Sequence, residues 1–262
     1  MVVVNKAYVD LAERLATASG DIVCRYFRSL HQIGQKLDST PVTIADKEAE
    51  FEMRKIIQAE CPDHGIVGEE GGKILENAKF VWVLDPIDGT KNFASGSYQF
   101  GTLISLIENG EFILGIIDQP VLRERWLGVK GQPTTFNGEP VQVRSCSSLS
   151  DAWMYSTSPN MFDSDNHERF ERLTRKVKHS LFGTDCIGYG LLASGFTDIV
   201  CEAQLKHWDY AAHIPIIEGA GGFISDWNGK PLTLGSSGTV LASGDKRIHD
   251  AALTVLSDSD LR

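Results

Sequence analysis

No window of the chain offers the roughly 18 uninterrupted apolar residues that a membrane span requires. The opening stretch, MVVVNKAYVDLAERLATASG, also lacks a basic region leading into a long apolar run. The expectation is a cytoplasmic chain with no membrane partner. Cysteine is scarce: Cys24, Cys61, Cys146, Cys186 and Cys201 are spread over 262 residues without a C-x-x-C pair, which fits neither a zinc knuckle nor a disulfide framework. Most are expected as buried, reduced packing residues. Positive charge is short as well. Lys and Arg total 25 against 35 Asp and Glu, a net charge of −10, which argues against a nucleic-acid groove built from basic side chains. An anionic small substrate remains compatible, but in so acidic a chain its countercharge would come from bound cations. No repeat, low-complexity tract or linker interrupts the sequence. What is present, 42% hydrophobic and 23% charged residues, suffices for one large or two modest cores.

Tyr8, Leu11, Ala12, Leu15, Ala16, Ser19, Ile22, Val23 and Tyr26 recur at spacings of three and four, the stripe of an amphipathic helix. A second helix is predicted from Thr43 to Glu60, stopped by Cys61 and Pro62. Between 80 and 145 the pattern becomes short apolar runs, FVWVLD, GTLISLI, FILGIID, RERWLGV and PVQVR, with Asn109-Gly110 supplying the tight turn of an antiparallel hairpin. Helical and strand signals then alternate: a polar helix over 166–179, a helix containing GYGLLASG, the strand TDIVCE, the helix DYAAHIPIIEGA, the strand GGFISDW, and TVLASG before a closing helix. The class is α/β (α+β), with two halves, 1–150 and 151–262, in a single compact unit.

The densest chemistry lies in VWVLDPIDGTKNF, residues 81–93. A buried strand is predicted to end at Asp85, where Pro86 removes a donor and turns the chain out of the ladder, while Gly89 permits a close turn. Two carboxylates about 4 Å apart repel by roughly 4 kcal/mol at an effective dielectric near 20, so Asp85 and Asp88 need something to offset them. Held at the exit of a rigid strand they suit a metal or catalytic site. The alternative is a turn in which they cap backbone amides. Hard cations such as Mg²⁺ select oxygen ligands, so further acids should converge on the same spot. Candidates are Glu69 and Glu70 in GIVGEEGG, whose plainer reading is a solvated loop, and Asp209 in HWDYAAHIPIIEGAGG, whose plainer reading is a helix N-cap. Asp46, in TPVTIADKEAE, stands at capping-box spacing from Thr43. His207 and His213 flank Asp209 but carry the wrong donor for Mg²⁺ and are read as packing or supporting groups. Lys91 is either a phosphate contact or a surface lysine.

Taken together, GEE, WVLDPIDGTKNF and WDYAA…EGAGG, in this order over most of the chain, resemble the inositol monophosphatase family of metal-dependent, lithium-sensitive phosphatases. The resemblance implies a layered α-β-α-β-α sandwich of the inositol monophosphatase / fructose-1,6-bisphosphatase type, usually a homodimer. It assigns Glu69, Asp85, the backbone carbonyl of Ile87, Asp88 and Asp209 as ligands of two or three Mg²⁺ ions, with Li⁺ as an inhibitor. The cations would then offset the carboxylate repulsion. It assigns Thr90 and Asp46, with Glu69 nearby, to orienting and deprotonating a metal-activated water that attacks phosphorus directly. Backbone amides around Gly89 and Thr90 would cradle the phosphate. Two other classes compete. A haloacid-dehalogenase phosphatase carries D-x-D-G-T, but here two residues separate the aspartates and the motif lies well into the chain. A catalytically silent relative that only binds a metabolite or protein predicts a broken ligand set, and no matching position is broken.

Within the family, FGTLISLIENGEFILGIIDQPVLRERWLG and GTDCIGYGLLASGFTDIVCEAQLKHWDYAAHIPIIEGAGG look more like the histidinol-phosphate phosphatase branch. That branch implies hydrolysis of histidinol phosphate to histidinol and phosphate, within histidine and hence amino-acid biosynthesis. Asp185, after Gly183 and Thr184, is the telling position, because inositol monophosphatases usually carry a small residue there. Histidinol phosphate presents an ammonium and an ionisable imidazole, which a carboxylate binds through charge-assisted hydrogen bonds. Glu202 is the second candidate for that contact. The expected substrate-binding set is Asp88, Gly89, Thr90, Gly183, Thr184, Asp185, Glu202 and Asp209, the plainer reading of Asp185 being a helix N-cap. The metal loops fall in 1–150 and the specificity residues in 151–262. The alternative substrates are inositol 1-phosphate or a broader set of sugar and nucleotide phosphates.

Overall fold

The computed structural model describes residues 4–29, 34–35, 41–42 and 44–257; Thr43, read above as a cap for Asp46, lies outside them. Helix α1 (Lys6–Tyr26) starts where the Asn5 side chain accepts the Ala7 amide, and it buries Leu11, Ala12, Leu15, Ala16, Ile22 and Val23. After β1 (Gly34–Gln35) and β2 (Pro41–Val42), α2 (Ile44–Glu60) stops ahead of Pro62. There follow β3 (Gly65–Gly68), β4 (Gly72–Ile74), β5 (Phe80–Asp88), the short helix α3 (Thr90–Ser95), β6 (Gly101–Glu108) and β7 (Glu111–Gln119). Then come β8 (Glu124–Val129), β9 (Thr135–Phe136) and β10 (Glu139–Pro140). Strands β3 to β10 form one sheet of order β10-β9-β8-β7-β6-β5-β3-β4, antiparallel except for the parallel β3–β5 pair. Its β6–β7 turn has Asn109 at φ 51° and Gly110 at φ 85°, the left-handed pair that Asn-Gly favours.

The second half holds β11 (Trp153–Ser156), α4 (Ser164–Thr174), β12 (His179–Phe182), α5 (Ile187–Ala193), β13 (Ile199–Glu202) and α6 (His207–Tyr210). It closes with α7 (His213–Gly219), β14 (Phe223–Ser225), β15 (Val240–Ser243) and α8 (Lys246–Ser257). Its sheet has the order β12-β11-β13-β15-β14. Alternate residues of β5 serve opposite faces. Trp82 and Leu84 pack on Leu15 of α1 and Met53 of α2. Val81 and Val83 face a cluster containing Tyr189, Tyr210, Ile216 and Ile217 of α5, α6 and α7, which also holds Val200 and Val240 of the second sheet. On the far face of that sheet, Met154, Cys201 and Leu241 meet Phe170 of α4 and Ile248 of α8. The layers are therefore α-β-α-β-α. Among the described residues no helix is long and apolar enough to cross a membrane.

Several local expectations change. Strand β5 does not end at Asp85: Asp85 pairs with Leu103 and Asp88 with Gly101, so β5 carries an extra residue there, a bulge that absorbs Pro86. Of PVQVR only Pro140 is in a strand; the rest is a connection tied by single amide bonds, Val141 to Thr134 and Val143 to Ala220. The polar helix starts earlier and closes at Thr174, residues 175–178 turn, and β12 begins at His179, while β11 is too short to signal in the pattern. DYAAHIPIIEGA is split between α6 and α7, because Pro215 has no amide to return to the Ala211 carbonyl, which instead lies 3.3 Å from Ser105 Oγ. Of the cysteines only Cys186 and Cys201 are buried.

Glycine seats this broken helix on the first sheet. Gly115 and Gly128 are cross-strand partners, and a Cβ on either would collide with backbone, at the Ala212 carbonyl and at the Ile216 amide respectively. Gly128→Ala should therefore overpack this contact and cost about 1–3 kcal/mol. Gly235→Ala, whose Cβ would meet nothing nearer than Thr233 Oγ1 at 3.9 Å, should stay within about 0.5 kcal/mol. Urea unfolding of the two variants checks this, and equal stabilities would contradict it.

Candidate functional site

The end of β5, the β3–β4 turn, the β12–α5 connection, the end of β13 and the start of α6 converge on a cavity of about 870 Å³. Among the described residues its wall carries six carboxylates, Glu69, Asp85, Asp88, Asp185, Glu202 and Asp209, against two cations, Lys91 and Lys206. Asp85, Asp88 and Asp209 each bring an oxygen within 4.8 Å of the others. All three are held by backbone. Asp85 Oδ1 accepts the Ile87 amide at 3.0 Å, Asp88 Oδ2 the Cys186 amide at 2.7 Å, and Asp209 Oδ2 the Lys206 amide at 2.6 Å. The plain reading of Asp85 and Asp88 as amide caps thus holds alongside the functional one, since a carboxylate has two oxygens and an amide bond to one orients the group. Asp209 is not the N-cap of α6 but its third residue, reaching back to the amide of the N-cap Lys206.

The electrostatics are severe. Burial, then the charges of Glu69, Asp88 and Asp209, push the Asp85 carboxyl well above its ordinary range. Burial and the charge of Asp209 do the same to Asp88, against the opposing bond from Cys186. Asp209 is pushed up to about 8 by burial and by the charges of Glu69 and Glu202, although the Lys206 amide works against the rise. An all-oxygen donor set, anchored and starved of positive charge, fits a hard divalent ion.

The other expected residues divide. Ile87, Gly89, Thr90 and Lys91 line the cavity, and Thr90 Oγ1 donates to the Ile87 carbonyl at 3.1 Å. Gly89 sits at φ 85°, where a Cβ would also lie 2.8 Å from the Gln99 carbonyl oxygen, so only glycine suits the turn. Asp46 is fully buried in the first turn of α2 and does not line the cavity; its neighbours Ala45 and Ala49 pack with Ile87 and Phe93. Gly183 and Thr184 do not line it either, and the Gly183 carbonyl accepts the Asn92 side-chain amide at 3.1 Å. Asp185 does not cap α5, which has no side-chain cap. Its Oδ2 accepts from Asn92 Nδ2 at 2.5 Å, and burial with the charges of Asp88 and Glu202 pushes its carboxyl up to about 8. Glu202 is held by the Thr157 amide at 2.8 Å and the Tyr189 hydroxyl at 2.9 Å. His213 stacks on Tyr189 with ring centroids 3.8 Å apart, and burial lowers it to about 3, a neutral packing group. Asn92, Thr157 and Tyr189 are absent from the sequence reading. Asn92 stands inside the DGTKNF motif, but nothing local shows that it reaches 93 residues ahead.

A layered sandwich with an acid-walled cavity at its strand ends defines a class, and comparison with known proteins gives it a name. The sequence model of the inositol monophosphatase family matches residues 5–261, and the chain belongs to that family of phosphatases. It is 48% identical over 258 residues to the bifunctional phosphatase IMPL2, chloroplastic, of Arabidopsis thaliana, spanning 95% of this chain and 75% of that one. It is 35% identical to a histidinol-phosphatase of Chlorobaculum parvum over 90% of this chain and 92% of that one. An inositol monophosphatase structure from Zymomonas mobilis matches with a TM-score of 0.91 at 44% identity, over 98% of this chain and 100% of that one.

Without a cation, folded Asp185 and Asp209 keep protons up to about 8, whereas the unfolded chain releases them near the ordinary carboxylate value. The folded state then binds more protons than the unfolded one across that window, so stability falls as pH rises through it. A bound cation removes the cause. The metal-free protein should melt at progressively lower temperature from roughly pH 6 to pH 9, with millimolar Mg²⁺ raising Tm most at the alkaline end. Melting curves indifferent to Mg²⁺ at both ends would contradict the reading.

Proposed function

We propose that the chain is a Mg²⁺-dependent, Li⁺-inhibited histidinol-phosphate phosphatase acting as a homodimer, with Glu69, Asp85, the Ile87 carbonyl, Asp88 and Asp209 as the metal ligands. On this reading residues 1–150 carry the metal loops and 151–262 the specificity residues. Divalent ions held there would polarise the phosphoryl group and favour ionisation of the attacking water. Thr90 and Glu69, which line the cavity, would orient that water, with the Glu69 carboxylate taking its proton. Asp46, buried outside the cavity wall, would act only through the residues around it, and the backbone at Gly89 and Thr90 would face the phosphate. The family assignment removes the dehalogenase reading, and the intact carboxylate set speaks against a silent relative.

One observation carries the choice of substrate. Asp185 lines the cavity, is half-buried, and is aimed by Asn92 instead of capping a helix. If cations neutralise Glu69, Asp85, Asp88 and Asp209, the negative charge left among the described residues of the cavity wall belongs to Asp185 and Glu202. Such a wall favours a leaving group bearing an ammonium and an imidazole over a neutral polyol. Both oxygens of Glu202 already accept a bond, which leaves Asp185 as the principal contact. The histidinol-phosphatase name of the Chlorobaculum parvum relative supports this reading. The inositol 1-phosphate alternative draws its support from the Zymomonas mobilis neighbour.

Phosphate release should be abolished by excess EDTA and by Asp209→Asn. Asp185→Asn keeps an acceptor for Asn92 but loses the charge. It should lower kcat/KM on histidinol phosphate relative to inositol 1-phosphate by roughly ten- to a hundred-fold, equivalent to about 1.5–3 kcal/mol. Release that persists in EDTA would refute the metal assignment, and an unchanged preference ratio would refute the substrate.

A further inference from the structure

On α2, Asp46, Glu50 and Arg54 follow at intervals of four, which places them on one helix face. All are buried, at 0%, 1% and 9% exposure. A run of charges so spaced would ordinarily face solvent. Here the Glu50 carboxylate is directed away from its own helix. Its Oε2 accepts the Glu70 amide at 2.7 Å and its Oε1 the Gly71 amide at 2.7 Å. Arg54 Nε donates to Glu50 Oε1 at 2.6 Å, and Arg54 Nη2 donates to the Gly72 carbonyl. The two side chains thus grip three successive residues directly after Glu69: Glu70 and Gly71 of the β3–β4 turn and Gly72 at the start of β4.

The glycines of GEEGG acquire a reason. A Cβ on Gly68 would fall on Glu50 Oε1, and one on Gly71 would lie 2.6 Å from Arg54 Nε and 2.8 Å from Glu50 Oε1. Neither residue has a left-handed backbone, so it is the approach of the Glu50–Arg54 pair that excludes a side chain there. Burying an ion pair costs desolvation that its own attraction barely recovers. Charged hydrogen bonds to backbone, shorter and stronger than neutral ones, are what this pair adds. The turn needs them: the Glu69 amide donates to the Leu84 carbonyl of β5 at 3.2 Å, but the Glu70 and Gly71 amides that follow are held by Glu50 where the chain, at Gly71 and Gly72, is exposed to competing water.

We infer that Glu50, braced by Arg54, is a positioning residue that fixes where Glu69 stands in the cavity. Neither Glu50 nor Arg54 lines the cavity, so the effect passes through the turn backbone. The same helix carries Asp46 one turn earlier, so the clamp also ties the position of Glu69 to that of Asp46. The inference rests on Glu69 being a metal ligand, and the controls separate the two statements.

Glu50→Gln preserves shape but removes the charge and turns one acceptor into a donor facing an amide. Mg²⁺ affinity measured by calorimetry should fall roughly ten- to a hundred-fold, with KM for the phosphate ester at saturating Mg²⁺ unchanged. Gly71→Ala leaves every charge in place but pushes the clamp aside, and should show the same signature. A merely structural role predicts the reverse, a lower Tm with unaltered Mg²⁺ affinity. Should Glu50→Gln fail to fold, Gly71→Ala and amide exchange in the unaltered protein decide: the Glu70 and Gly71 amides should exchange slowly despite the exposed turn. Wild-type Mg²⁺ affinity in folded Glu50→Gln and Gly71→Ala, or exchange of those amides at free-peptide rates, overturns the inference. Glu69→Gln is the control. If it leaves Mg²⁺ affinity intact, the ligand assignment of Glu69 fails; if it weakens affinity while Glu50→Gln does not, the clamp alone fails.

Discussion

Mutual repulsion among carboxylates organises this molecule. Among the described residues six of them share one cavity wall with two lysines, and three place oxygens within 4.8 Å of each other. Left alone, such groups would separate, take up protons or draw in water. Here separation is prevented by rigid backbone. Asp85, Asp88 and Asp209 each accept one main-chain amide, from Ile87, Cys186 and Lys206. The amides orient the carboxylates without neutralising them, so the site remains poised for a cation.

The layers explain how the amides come to be there. The bulge in β5 sets Asp85 and Asp88 at the strand end instead of letting the ladder run straight through Pro86. The Cys186 amide reaches Asp88 from the connection between β12 and α5, and the Lys206 amide precedes the short α6. The next helix, α7, is seated by the paired glycines Gly115 and Gly128, where backbone lies directly on the sheet. Glu69 enters from the β3–β4 turn, which the buried Glu50–Arg54 pair holds from below. Asp85 and Asp88 arrive together on β5 while Glu69 and Asp209 come from other elements, and the middle helical layer, packed on both sheets, fixes their relative positions.

Much of this was legible in the chain. Helices α1 and α2, the Asn109-Gly110 hairpin and the strands around it follow from apolar periodicity and one turn dipeptide, because their cores are built from near neighbours. The three clustered aspartates were legible through the resemblance of their motifs, taken together, to the inositol monophosphatase family; singly, each also read as a turn or a cap. What periodicity could not show depends on contacts distant in sequence. Strand β11 takes both its neighbours, β12 and β13, in parallel, so no turn marks it. The role of Asn92 rests on Asp185 across the cavity, and Glu50 and Arg54 look like solvated helix charges until the turn they hold is in view. The break between α6 and α7 is the exception, being written locally in Pro215.

If repulsion is the organising constraint, cation binding must be paid in protons. Isothermal titration of the metal-free protein with Mg²⁺ near neutral pH, repeated in buffers of different ionisation enthalpy, counts the protons released per site. Saturable binding with a release of about one proton or more, both lost in Asp88→Asn, is the predicted result, because carboxyls held partly protonated must ionise to accept the ion. Absence of saturable Mg²⁺ binding, or binding whose heat is identical in every buffer, would contradict the account.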